Sequence, residues 1–203
     1  MRKVIKTVVV CLLLTVFFWS GALLSDRQRL QQDLIRLHVV ANSDSVEDQN
    51  RKLMVRDAIT TSIQKDMEDL MDVEQAQQYL REKLPQIQTI AENTLQALGC
   101  TDAVTVGLCK EAFDTRVYDT FTLPAGVYNA LRIVIGDGEG KNWWCVVFPS
   151  LCIPLSSESF ADTAAGAGFP EALNRTLTGE DGYELRFAFL DAMGKLENIL
   201  FAG

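Results

Sequence analysis

The sequence has very few of the side chains on which hydrolytic and metal-dependent active sites depend. Only one of its 203 residues, His38, is a histidine. A zinc site built from histidines is therefore excluded, and a catalytic triad would need His38 as its base. Ser43 and Asp44 follow it closely, but residues of this type before a helix usually cap it. We expect His38 to face solvent from a strand, and we expect no catalytic residue, metal or cofactor.

Positive charge is also scarce. Arg2, Lys3 and Lys6 account for three of the 19 Lys and Arg residues, which leaves 16 of them after residue 25. The 27 Asp and Glu residues all lie after that point, so this part of the chain has a net charge of −11. A domain this acidic lacks the basic surface that binds nucleic acid or anionic lipid. We therefore expect no nucleic-acid partner.

The N-terminus contains the one long apolar segment of the chain. The three basic residues precede a run of 19 uncharged residues, Thr7 to Ser25. This pattern is typical of a signal peptide, here with small residues suited to cleavage after Ala22, or of a membrane anchor. We predict that residues 1–25 form one or the other and are the only part that meets the membrane. Residues 26–203 are long enough for a single exported domain.

Four of the five cysteines lie in the exported part. Cys100 and Cys109 flank a predicted strand, whose extended length holds them farther apart than a disulfide allows. Cys145 and Cys152 are separated by a turn at Pro149 and can fold back on each other. They are our candidate disulfide, and two buried thiols are the alternative.

Apolar periodicity divides the exported part into helices and strands. Ser45 and Asp72 are candidate N-caps of two helices, Pro85 predicts a kink or break in the second helix, and Gly99 predicts its end. Gly136 to Gly140 are predicted to form a hairpin turn. The predicted elements are strands over 35–40, 103–110, 112–118, 127–135 and 143–148, helices over 46–69, 72–99 and 183–201, and an irregular segment near 155–182. The order β-α-α-β-β-β-β-α is typical of an α+β fold, with helices packed on one face of a mostly antiparallel sheet.

Two of the three tryptophans, Trp143 and Trp144, are adjacent in the last predicted strand. Neighbouring strand residues point to opposite faces, so the two rings cannot share one core. One ring packs inside, while the other covers a second layer or is available to a partner. Exposed aromatic residues often dominate binding energy. The outward tryptophan, with Arg132 and Tyr128 on a nearby strand, is therefore a candidate partner contact.

Four segments carry a resemblance to a known family. They are 35–45 (IRLHVVANSDS), 49–58 (QNRKLMVRDA), 123–133 (LPAGVYNALRI) and the tryptophan- and glycine-containing segment 136–152. In this order they resemble the stage II sporulation protein R family, over residues 34–152. Four separated motifs in the expected order are far more specific than any one of them.

The resemblance implies a forespore protein that is exported into the space between the two membranes of a sporulating bacterium. There it is expected to activate a membrane-embedded aspartic peptidase of the mother cell, which cleaves the pro-sequence from a sigma factor. That peptidase is the implied partner. Two other classes stay open: an exported hydrolase that depends on His38, and a membrane-anchored structural protein of the sporulating cell envelope.

Overall fold

A computed structural model of the chain describes residues 2–117, 122–149 and 184–202. It confirms an α+β fold, with a mostly antiparallel sheet and helices packed against it. In chain order the elements are α1 (Arg2–Asp33), β1 (Ile35–Val40), α2 (Val46–Glu68), α3 (Val73–Ala97), β2 (Val104–Phe113), β3 (Arg116–Val117), β4 (Thr122–Leu123), β5 (Gly126–Ile135), β6 (Asn142–Phe148) and α4 (Glu184–Ala202). The predicted irregular segment near 155–182 lies outside the described residues.

The main sheet has the strand order β2-β5-β1-β6, and β3 pairs with β4 separately. β1 is parallel to β5 and antiparallel to β6, so that Leu37 is aligned with Leu131 on one side and with Cys145 on the other. β2 is antiparallel to β5. The predicted hairpin of β5 and β6 is therefore wrong, because β1 is inserted between these two strands.

The core lies between one face of this sheet and the helices α2 and α3. Alternate residues of β1 point into it, and so do alternate residues of β5. Burying one such aliphatic side chain contributes about 1.5–3 kcal/mol to stability. The fully buried core side chains include Ile35, Leu37, Val39, Val55, Ile59, Leu80, Ala91, Leu95, Leu131 and Ile133.

The two predicted N-caps are confirmed. The Ser45 Oγ accepts a hydrogen bond of 3.1 Å from the Asp48 backbone N–H at the start of α2. The Asp72 carboxylate accepts one of 2.9 Å from the Gln75 backbone N–H at the start of α3. Each bond satisfies a backbone donor that has no partner within the helix.

Of the predicted kink or break at Pro85, the break does not occur, because α3 runs through the proline as one helix, and the kink stays a prediction. Leu80 before the proline and Ile87 after it are both buried in the same core. Packing on both sides of Pro85 thus offsets the loss of one backbone hydrogen bond. Gly99 follows the helix with a φ of 70°, which confirms it as the predicted end.

The last turns of α1 belong to the folded domain. Leu30 and Leu34 are buried, although α1 begins at Arg2 and passes through residue 25 without interruption. Near them, α4 is held to the start of β5: Glu197 accepts a hydrogen bond of 3.1 Å from the Val127 backbone N–H. Among the residues with described placement, no helix combines the length and apolar character needed to cross a membrane.

The connection from β5 to β6 passes over the end of β1 and is not the predicted hairpin turn. The backbone N–H groups of Glu139 and Gly140 donate to the carbonyl oxygens of Asn42 and Ala41, at 3.1 and 2.9 Å. A Cβ on Gly140 would lie 2.3 Å from the Ser43 carbonyl oxygen. Glycine is required there because two backbone segments pack directly against each other.

We predict that Gly140→Ala destabilises the domain by on the order of 1–3 kcal/mol, since the new Cβ collides with backbone and not with a movable side chain. Gly107→Ala is the matched control, because a Cβ at that strand position meets nothing within 4 Å. Urea unfolding of both variants measures the difference. Equal stability of the two variants would show that the close approach is not needed.

Candidate interaction site

The corner between β1 and α2 is organised by one buried carboxylate. Asp48, 8% exposed, accepts hydrogen bonds from the Ser43 hydroxyl at 2.6 Å, the Arg51 guanidinium at 2.8 Å and the Asn42 amide at 3.2 Å. The Ser43 bond is the largest of the effects that hold the pKa of Asp48 below its ordinary value. This carboxylate therefore fixes the position at which the chain leaves the sheet and enters α2.

Lys52 ties the same corner to the start of β6. Its side chain is buried, and its ammonium donates to the Gln49 side-chain oxygen at 2.6 Å and to the Lys141 carbonyl at 2.9 Å. Burial lowers the pKa of Lys52. A hydrogen bond of 2.7 Å from the Lys141 backbone N–H to the Asp44 carboxylate also joins the start of β6 to this corner.

His38 is buried, at 5% exposure, and the prediction that it faces solvent is wrong. All six residues of β1 are buried because the strand is interior to the sheet and both of its faces are covered. The imidazole Nδ1 lies 2.8 Å from a Glu111 carboxylate oxygen, and the ring stacks on Trp144 with centroids 5.6 Å apart. Its Nε2 is buried and has no hydrogen-bond partner.

On the face of the sheet that carries His38, residues of three neighbouring strands are aligned in a row. The strand register places Arg132 beside His38, and His38 beside Trp144. The Arg132 side chain is 48% exposed and its Nε lies 3.6 Å from Glu111. The Arg116 guanidinium lies 3.5 Å from the centroid of the Trp144 ring, a close cation–π contact. We call Trp144, Arg132, Arg116 and Glu111 the Trp144 surface.

Tyr128 lies beneath this surface and is only 1% exposed. Its hydroxyl donates to the Pro124 carbonyl at 2.7 Å, and its ring meets Phe113 edge-on at 6.0 Å. The guanidinium of Arg36 lies over the Phe113 ring, 3.9 Å from its centroid. Of the four predicted contact residues, Tyr128 is thus part of the interior and cannot meet a partner in this structure.

Trp143 lies on the opposite side of the sheet from Trp144, as the strand assignment predicts. It is aligned with the core residue Val39 and is 37% exposed. The Arg56 guanidinium of α2 lies 4.1 Å from its ring centroid. The structure therefore brings Trp144 and Arg132 together on one face and places Trp143 on the other.

Glu111 and Arg116 were not predicted. Glu111 lies 73 residues from His38 along the chain, and no spacing in the sequence connects them. Glu111 falls between the predicted strands 103–110 and 112–118, and β2 runs through this gap, so no pattern in the sequence assigned it to the sheet. Glu111 comes close to the row of Arg132, His38 and Trp144 only because β2 pairs with β5.

Cys100 and Cys109 are free thiols, as the strand between them predicts. Burial raises the pKa of Cys100, and partial desolvation together with the nearby Glu111 carboxylate raises the pKa of Cys109, whose side chain is exposed. Cys145 is buried in β6, whereas Cys152 lies outside the described residues, so the Cys145–Cys152 disulfide stays a prediction. Within the described segments, no group of three His, Cys, Asp or Glu side chains could hold a metal ion.

Comparison with known proteins identifies the family. A family model described as stage II sporulation protein R matches residues 31–158. A Bacillus subtilis (strain 168) protein, stage II sporulation protein R, is 38% identical over 159 residues, covering 72% of this chain and 70% of that protein. The chain belongs to the stage II sporulation protein R family. No solved structure shows a significant match to it.

The four segments that resemble the stage II sporulation protein R family converge in space. Segment 35–45 forms β1 and the corner, 49–58 lies in α2, 123–133 contains most of β5, and 136–152 contains the glycine loop and β6. They supply the three strands that are adjacent at β1 and the corner that joins them. The family motifs thus describe one structural unit, which carries Trp144 and Arg132.

We predict that Asp48→Asn lowers the stability of this sporulation protein R domain by about 1–3 kcal/mol at neutral pH, because three donors lose an anionic acceptor. The folded-state pKa of Asp48 lies below its unfolded value, so its contribution is present above about pH 4 and is lost as pH falls through the folded-state pKa. The difference from wild type should therefore shrink in acid.

Glu47→Gln is the matched control, because Glu47 lies in the same first turn with its side chain 82% exposed. Chemical unfolding across a pH series measures both variants. A deficit for Asp48→Asn that persists unchanged throughout the acid range, or one equal to that of Glu47→Gln, would contradict the assigned role.

Proposed function

We propose that this protein is an exported sporulation signal that activates a membrane-embedded aspartic peptidase of the mother cell. The activated peptidase then removes the pro-sequence from a sigma factor. The observation that supports this most strongly is the family match, which spans every strand of the main sheet. A role in sporulation follows from the family itself, whereas the peptidase partner is our proposal.

The surroundings of His38 favour a signalling role over a hydrolytic one. A His–Glu pair is a recognised arrangement for general-base catalysis, so His38 and Glu111 are the residues that a hydrolase would use. A catalytic imidazole must bring its second nitrogen within hydrogen-bond reach of the substrate. The Nε2 of His38 is instead sealed beneath its neighbours. We infer that the pair supports the sheet and that the protein is not an enzyme.

The N-terminal segment supports export. Residues 1–25 carry three positive charges and the 19-residue uncharged run, and they precede an acidic domain. We propose that they direct the chain across the forespore membrane into the intermembrane space, as a signal peptide or as a retained anchor. The domain that follows, residues 26–203, would then face the peptidase from that space. A disulfide between Cys145 and Cys152 would suit this oxidising location and would fix the exit of β6.

We propose the Trp144 surface as the region that contacts the peptidase. It combines a partly buried tryptophan with two arginines, the residue types that most often dominate interface energy. It contains two guanidinium groups and one carboxylate: Arg132 lies beside Glu111, and Arg116 lies over the Trp144 ring. In a domain with a large excess of negative charge, this local positive surface favours an acidic segment on the partner.

Single substitutions can test this surface without unfolding the domain. We expect Arg132→Ala to reduce sigma-factor processing by about tenfold or more, equivalent to about 1.4 kcal/mol of binding. Its melting temperature should stay close to that of wild type, because the Arg132 side chain is half exposed. Processing is measured in sporulating cells of the host, beside the thermal melt of each purified variant.

Trp143→Ala is the matched control, because it removes a partly exposed aromatic ring from the opposite face of the same sheet. We expect it to leave processing unchanged. Loss of signalling with Trp143→Ala but not with Arg132→Ala would place the contact on the other face. Full signalling by both folded variants would remove this strand region from the contact altogether.

A further inference from the structure

The last two turns of α4 expose an unusual amount of apolar surface. Four large apolar side chains lie there within six residues, and each is more than half exposed. They are Leu196 (51%), Ile199 (70%), Leu200 (74%) and Phe201 (53%), which we call the α4 tip. Apolar side chains clustered in this way usually mark a contact surface, whereas single exposed ones do not.

The α4 tip lies close to the apolar run of α1. Glu197 accepts hydrogen bonds from the Arg27 guanidinium and from the Gln31 amide, and these join the two helices. Ile199, Leu200 and Phe201 follow Glu197 within about one helical turn. Leu24, 44% exposed, precedes Arg27 by the same distance.

The contact between Glu197 and α1 separates a charged and partly buried part of the two helices from an uncharged and exposed part. Residues 198–203 have no charged side chain, and neither do residues 7–25. On the inner side of the contact, Leu30, Leu34 and Leu190 are buried. On the outer side, every side chain described between residues 4 and 25 is exposed. Beyond the contact, the described apolar side chains of both helices are therefore exposed, while α4 stays attached to β2 through Asn198, whose amide donates to the Phe113 carbonyl at 2.8 Å.

We propose that the α4 tip inserts into the surface of a lipid bilayer beside the apolar run of α1, in contrast to the prediction from sequence that only residues 1–25 meet the membrane. A bilayer is favoured over a protein partner because the helix that carries the tip is bonded to α1 next to a 19-residue uncharged run whose composition suits hydrocarbon. The charged residues Arg27 and Glu197 lie at the level where lipid headgroups and water would meet them. Two apolar attachments, one from each end of the domain, restrict its rotation on the membrane. This inference rests on the retention of residues 1–25 as an anchor, and it does not depend on the identity of the signalling partner.

The test uses the full chain in phosphatidylcholine vesicles, with the exposed thiols Cys11 and Cys109 replaced by serine. An environment-sensitive fluorophore is attached at Leu200→Cys or at Met71→Cys. Met71 is the matched control, because it is 83% exposed and lies between α2 and α3, away from α4. The emission of each label is measured in ordinary vesicles and in vesicles of brominated phosphatidylcholine, which quenches only probes that contact the acyl chains.

We expect a blue-shifted emission and several-fold greater quenching at position 200 than at position 71. Equal quenching at the two positions would overturn the proposal, as would failure of the chain to associate with the vesicles. Energy transfer between labels at position 200 that rises with protein density, without lipid quenching, would assign the tip to a second copy of the chain. That result would also overturn the proposal.

Discussion

The insertion of β1 between β5 and β6 is the constraint on which the rest of the structure depends. Because β1 is interior, all six of its residues must be buried, including Arg36 and His38, and each then needs partners on the sheet. The loop from β5 to β6 must also cross the end of β1, which forces its backbone against residues 41–43. The Asp48 corner, the glycine loop and the Trp144 surface are all consequences of this placement.

Local patterns predicted most of the secondary structure. The caps at Ser45 and Asp72, the glycine at the end of α3 and the boundaries of α2 depend on residues near each other in sequence, so they could be predicted. Strand neighbours could not, because pairing between β1 and β5 joins residues more than ninety positions apart. The predicted hairpin failed because it assumed that consecutive strands are adjacent, and the solvent-facing His38 failed because it assumed that only one face of β1 is buried.

The candidate site shows the same division. Strand periodicity correctly placed Trp143 and Trp144 on opposite faces, because it depends only on the alternation of side chains. It could not reveal that Tyr128 is covered by Phe113, or that Arg132 is separated from Trp144 by His38. The family motifs added what periodicity lacked, because three of them contain the strands β1, β5 and β6, which are adjacent in the sheet. Conversely, the α4 tip lies outside those motifs and emerged only from exposure in the structure.

The central claim is that the domain signals from outside the forespore. The most direct measurement compares two forms of the chain expressed in the forespore of cells that lack the native gene. One is the full chain, and the other lacks residues 1–25 and stays in the forespore cytoplasm. We expect the sigma factor of the mother cell to be processed with the first form and to remain in its pro-form with the second. Equal processing with both forms, at matched protein levels, would contradict signalling across the membrane.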